Sequence, residues 1–341
     1  MRLTLIKIWC LAAVVVLGLP SLKGQDQQYT QFYASPLTLN PAFAGTSMQS
    51  RAAMNYRNQW AQLPKAFVAY TAAYDQYVPE INSGFGLMVS HDRAGTGALS
   101  YTTVALQYAY EIKLSRKLSI RPALNFGYGS TYLDVDRLTF GDQLARGDGA
   151  TNSLDPDRNR FTQEPVGSAD FGSGVLLFSE DFWFGAAWHH INEPVTSVVG
   201  NETTLPRRLS VHGGYRFKIS EVGAFSKRQY LIPAFHYQSQ GMFDQMDIGF
   251  YYEYNPVTFG LWYRGLPGIK NNDHPYINHD AVAVLVGYEV NNYRFGYSYD
   301  MTVSKLSNRT GGSHEISIVV EWASKSKKKK NKRRVIPCAK F

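Results

Sequence analysis

The residues most able to do chemistry are few and scattered. His189 and His190, with Glu193 close behind, form the one histidine cluster among eight histidines. On a strand, neighbouring side chains point to opposite faces, so this pair cannot chelate one ion without a bend, and it reads as a strand end entering a loop. Asp155, Asp157 and Asn159 occupy the first three ligand positions of a calcium loop, but Arg160 stands where such a loop needs glycine. Val166 replaces its closing glutamate, and a solvated acidic loop accounts for the segment. Gly84/Gly86 and Gly127/Gly129 are spaced for a strand interior; with no helix following they suit close packing at lumen-facing positions, not a phosphate cradle. No serine sits in a nucleophile elbow or a recognisable triad, so neither enzyme nor cofactor or metal site is expected.

The elements that would position these residues are strands. Between Val104 and Leu114 one face reads Val104, Leu106, Tyr108, Tyr110, Ile112 and Leu114, and the other Ala105, Gln107, Ala109, Glu111 and Lys113. Ile248 to Tyr254 and Ile316 to Trp322 repeat the split, and the period of two recurs from Arg51 to Trp322. It divides the body into 14 strands, near residues 51–60, 66–78, 83–92, 99–114, 117–133, 168–179, 181–190, 207–219, 229–241, 244–254, 256–265, 280–290, 292–302 and 313–323. Connections after even-numbered strands are mostly tight, at Ser115-Arg116, Glu180, Asn255 and Asn291. Several after odd-numbered strands are long: 134–167, 191–206, 266–279 and 303–312.

Short turns at one end and long loops at the other are the plan of an outer-membrane barrel. The fold expected is therefore all-β: a transmembrane antiparallel β-barrel of about 14 strands over 51–323, with an irregular N-terminal segment and a basic C-terminal tail. Its termini are expected on the short-turn, periplasmic side. Gln107, Glu111, Lys113, Arg121 and Asn125 should face a polar lumen. Aromatics such as Tyr108, Tyr110, Trp183, Trp188, Tyr252, Tyr254, Trp262 and Trp322 should form interfacial girdles against lipid. A β-sandwich, the soluble alternative, accounts less well for these aromatics.

Charge supports that partition. The chain has 341 residues and a formal net charge of +8, yet three basic residues lie in the first 24 and nine in the last 18, with no acid in either. The body keeps 23 basic residues against all 27 acidic ones, a net −4, which argues against nucleic acid as partner. Residues 1–24 have the order of a secretory signal: Arg2 and Lys7, an apolar run from Ile8 to Leu19, then Pro20 and Gly24. The tail 324–341 carries Lys327, Lys328, Lys329, Lys330, Arg333 and Arg334, a solvated extension or a contact for an anionic partner. With only Cys338 in the mature chain, no internal disulfide is expected.

Several motifs in order resemble the PorP/SprF family of type IX secretion proteins. The stretch QQYTQFYASPLTLNPAFAGT carries Gln31, Phe32, Pro36, Asn40, Pro41, Ala42, Ala44 and Gly45; YRNQW adds Arg57, Gln59 and Trp60; HDRAG adds Asp92 and Gly95. WYRGLP, GYSYD and GGSHEI extend the likeness through the C-terminal half. The resemblance implies an outer-membrane barrel of Bacteroidetes-type bacteria, embedded in outer-membrane lipid and serving type IX secretion or gliding motility. Implied partners are periplasmic ring proteins of that system or a peptidoglycan-binding lipoprotein, and the C-terminal domain of a secreted adhesin. Residues 25–50 would then form a plug or periplasmic segment, their prolines barring them from a strand. The runner-up function is a passive porin-like channel.

Overall fold

A computed structural model describes residues 26–63, 67–95, 99–146, 156–162, 164–199, 203–220, 229–266, 278–303 and 310–323. The expected signal 1–24 and basic tail 324–341 lie outside these residues, as do Asp155 and Pro267.

The chain forms one closed antiparallel barrel of 14 strands. In chain order these are β1 (Ser50–Gln59), β2 (Phe67–Val78), β3 (Ser83–Ala94), β4 (Leu99–Tyr110), β5 (Ser119–Tyr132), β6 (Val166–Phe178) and β7 (Phe182–His189). They continue as β8 (Arg208–Tyr215), β9 (Gln229–Gln240), β10 (Phe243–Tyr254), β11 (Val257–Leu266), β12 (Asn278–Val290), β13 (Tyr293–Thr302) and β14 (Ser313–Trp322). Two pieces, Ile112–Lys113 and Phe217–Ser220, prolong β4 and β8 past a one-residue break. Each strand pairs with its sequence neighbours, and β1 closes the wall on β14 from Ser50↔Trp322 to Gln59↔Ser313. Closure leaves no unpaired edge, a requirement for any sheet in lipid.

Alternation sets the faces. Leu106 is 60% exposed while its neighbour Gln107 is 3% exposed, and along β4 the outward set is the predicted one. The tight turns have a local cause: Ser115 Oγ accepts from the amides of Lys117 and Leu118 at 3.2 and 3.1 Å, and Ser179 Oγ accepts from Asp181 and Phe182 at 3.2 and 3.1 Å. The loop 133–165 leans on the loop 190–207, with Thr162 donating to the Val198 carbonyl at 2.8 Å and Phe161 bridging Val199.

Three expectations are corrected. Trp183 and Trp262 face inward and are buried, because their parity on β7 and β11 puts them in the lumen, against Tyr33 and Phe32. Lys113 is exposed: it sits at the short-turn rim. Finally, β1 does start at the short-turn end, but Asp26, the first described residue, lies at the opposite end. Its carboxylate is held by His190 just past β7, by Arg208 at the start of β8, and by Gln240 at the end of β9. Residues 26–50 thus run down the whole lumen before turning up into β1.

Candidate functional site

The lumen and the segment inside it are the site. Two proline-led turns shape that segment: a helical turn, Pro36–Leu39, and a 3-10 turn, Pro41–Phe43, each with proline at its first or second position, where its missing N–H is no loss. Asn40 joins them. Its Oδ1 accepts from the Ala42 amide at 2.9 Å, and its Nδ2 lies 3.1 and 3.2 Å from the carbonyls of Val175 and Ala186 and 3.2 Å from His212 Nε2. One side chain thus caps a turn and ties the segment to β6, β7 and β8. Phe32 sits among Tyr33, His236 and Trp262, and Ala42 and Phe43 are fully buried.

Charge fastens the upper part. Arg57 on β1 donates to Asp300 at 2.8 Å, to Glu315 at 3.2 Å and to the Thr30 hydroxyl at 2.8 Å. Glu315, fully buried, accepts the backbone amides of Thr30 and Gln31 at 2.7 and 3.0 Å. Gln31 uses its whole amide: Nε2 donates to the Glu315 carbonyl at 3.0 Å and to Ser298 at 3.2 Å, and Oε1 accepts from Ser317 at 2.6 Å. Arg264 joins the same cluster through Asp247 at 2.9 Å and Asp300 at 3.2 Å. Buried charges persist only when paired and hydrogen-bonded, as these are.

At the short-turn end, Gly45 has φ +73° and donates to Asp75 at 2.7 Å; Asp75 also pairs with Arg51 at 2.7 Å. A Cβ on Gly45 would stand 2.8 Å from the Gly84 Cα. Arg121, fully buried, donates to the Ala44 carbonyl. Gly84 and Gly86 accordingly leave room for Ala44 and Leu37 of the segment, the close approach their spacing suggested.

At the long-loop end the segment leaves a chamber of about 750 Å³, lined among others by Gln59, Trp60, Asp92, Tyr101, Gln107 and Asp170. Trp60 has φ +60° and packs edge-on to Phe67, with ring centroids 5.4 Å apart. His190, at φ 55°, supplies the bend that strand geometry demanded: both histidines are buried and face inward. His189 lies 3.3 Å from the Leu39 carbonyl, whereas His190 bridges Asp26 at 2.7 Å and Asp170 at 3.0 Å. Burial opposes the charge on His190, but the two carboxylates outweigh it and raise its pKa to about 9. Burial likewise opposes the charge on Asp26, yet His190 and Arg208 hold its carboxyl well below the usual range. Glu193 turns away to Arg207 at 3.3 Å. Among the described residues no group of three or more His, Cys, Asp or Glu could hold a metal ion. Asp157 and Asn159 fall in a 3-10 turn, Pro156–Arg160.

Of the motif residues, Gln31, Phe32, Pro36, Asn40, Pro41, Ala42 and Gly45 form the segment, and Arg57 fastens it. Gln59, Trp60 and Asp92 line the chamber. Gly95 stands apart in the turn after β3, at φ +69° with nothing within 4 Å of its Cβ position. The sequence does not single out Asp26, Asp75 or Asp247, and it holds Arg264 and Glu315 only as members of WYRGLP and GGSHEI. A usable signal was present: each strand member of that group is a charged residue at an inward position of the alternation.

One comparison places the chain in a family. A family model described as "Type IX secretion system membrane protein PorP/SprF" matches residues 21–320. Among solved structures, the Ralstonia pickettii toluene transporter TbuX is similar at 14% identity and a TM-score of 0.47, covering 84% of this chain and 92% of that one. The Acinetobacter baumannii outer membrane protein Omp33 is similar at 7% identity and a TM-score of 0.43, covering 82% of this chain and 100% of that one. No curated protein matches.

Proposed function

Because the chain belongs to the PorP/SprF family of type IX secretion system membrane proteins, we propose that it acts by protein–protein contact, as a filled barrel, in the export or anchoring of surface adhesins. It is an outer-membrane β-barrel component of that secretion system. The observation that carries the finer reading is the N-terminal segment, which occupies the lumen from one end to the other and is hydrogen-bonded to the wall on several sides. A barrel dedicated to passive diffusion has no use for a lumen filled this way. The reading assigns no catalysis to the protein. It places the partner surface for the adhesin's C-terminal domain on the long loops, 133–165 foremost. The periplasmic ring or lipoprotein partner is assigned to the opposite face, where the basic tail would serve as a contact, in a Bacteroidetes-type cell with secretion or gliding as the output.

Deleting residues 138–162 tests this. Membrane insertion should survive and export of the cognate substrate should fail; unchanged export removes the loop from the proposal. A porin-like channel, the alternative, predicts steady conductance in planar bilayers, whereas the filled barrel should be silent.

A further inference from the structure

The floor of the chamber above the plug carries buried hydrogen-bond acceptors that nothing in the described protein satisfies. Gln107, on the inner face of β4, donates its Nε2 to the Leu37 carbonyl at 2.9 Å. A carbonyl only accepts, so the amide orientation is forced, and Oε1 is left buried without a partner. Asn125 stands opposite Gln107 across the β4–β5 ladder, and its Oδ1 is also buried and unpartnered. Both residues are more than nine-tenths buried and both line the chamber. Thr131, further up β5, adds an unpartnered hydroxyl.

Asp92 lies level with Thr131 in the register, both opposite Tyr101 on the strand between them. It has no ion pair among the described residues, whereas Arg57, Arg208 and His190 of the same chamber are each ion-paired, with only the Nε atoms of the two arginines left without a partner. Arg57 is held by Asp300 and Glu315, Arg208 by Asp26, and His190 by Asp26 and Asp170. The register also gives the length of this lining. Tyr101 and Gln107 are six residues apart on one strand, which is about 20 Å at roughly 3.3 Å per residue. A compact cation cannot meet groups that far apart, but an extended chain with a donor at each end can.

From this we infer that the chamber binds an extended, basic polypeptide segment entering from the long-loop end, with a Lys or Arg side chain on Asp92. Backbone N–H groups meet Gln107 and Asn125 at the floor. The volume, about 750 Å³, falls in the usual range for ligand sites. The inference deepens the proposed secretion role and rests on it for the source of the segment, a protein handled at the cell surface. An acidic segment or a free carboxyl terminus is disfavoured at a floor of oxygens.

The test is calorimetry on the folded full-length barrel in detergent. Three probes are titrated: a six-residue Gly/Ser peptide carrying one Lys, the same peptide carrying Glu, and spermidine. The Lys peptide should bind at least tenfold tighter than the Glu peptide, Asp92→Asn should abolish that preference, and Asn125→Leu should weaken both. Equal affinity of the two peptides, or a preference that survives Asp92→Asn, overturns the inference; spermidine binding as tightly as the Lys peptide overturns the polypeptide part. Should Asp92→Asn fail to fold by heat-modifiable mobility, the salt dependence of the wild-type preference reads the same contact. Export in cells keeps the two readings apart. If deleting the gene abolishes export but the Lys peptide shows no preference, the chamber inference alone falls. If deletion leaves export intact, the secretion role falls whatever the peptides do.

Discussion

Replacing Arg57 with alanine should unfasten the plug. The substitution removes the 2.8 Å bond to Asp300, the 3.2 Å bond to Glu315 and the 2.8 Å bond to Thr30. Asp300 keeps Arg264 at 3.2 Å, so the loss falls on Glu315, which is fully buried and retains only neutral donors among its described partners. Removing one partner of a buried pair costs about 3–5 kcal/mol; the two plug amides still on Glu315 put this case near the lower end. With the plug withdrawn the lumen is wet, and there the same pair is worth roughly 0–1 kcal/mol. The difference, about 2–3 kcal/mol, favours the withdrawn state by roughly 30- to 150-fold. Planar-bilayer recording reads this directly: Arg57→Ala should gain openings that wild type lacks, and Arg57→Lys should gain fewer. A folded Arg57→Ala barrel with wild-type conductance would refute the claim that buried charge holds the plug.

Three further outcomes are expected. Gly45→Ala and Gly95→Ala both put a Cβ at positive φ, costing about 1–2 kcal/mol, but only the first meets backbone at 2.8 Å, adding about 1–3 kcal/mol of overpacking; thermal unfolding should rank them in that order. Asn40→Asp should destabilise more than Asn40→Ala, because a carboxylate oxygen would replace the Nδ2 that faces two carbonyls; a urea titration measures the difference. For His190, whose folded pKa of about 9 exceeds the ordinary 6.5, the stabilisation is complete below the ordinary value and lost as pH rises through 9, up to about 3 kcal/mol. Melting temperature should therefore fall between pH 7 and 10 in wild type and change much less in His190→Gln.

Strand positions and faces were legible because a wall one residue thick between lipid and lumen imposes a period of two on every strand. Leu106 and Gln107 differ in chemistry because they differ in surroundings, and that shows locally. The plug was legible only in outline. Pro36 and Pro41 bar a strand, but nothing near Gln31 tells of Glu315, 284 residues away. Trp183 and Trp262 were misassigned for the same reason: an aromatic suits a lipid interface and a plug contact equally, and only its parity on the strand decides. The bend at His190 was invisible because left-handed backbone at a non-glycine residue leaves little trace in residue type.

The place of Glu315 bears on how the molecule is assembled. It lies on β14, the last strand to emerge, and it is satisfied by Arg57 on the first strand and by the amides of Thr30 and Gln31 ahead of that strand. The join between the two ends of the wall and the filling of the lumen are therefore one event. A wall that closed around an empty lumen would trap that carboxylate with two of its three described ligands missing, so the luminal segment must wait, threaded through an unfinished cylinder, for the last strand. Contacts this distant in sequence make for slow closure. They also make it a checkpoint, since a chain lacking residues 26–50 but keeping the signal should stall with an open slit between β1 and β14 and not mature into a leaky pore.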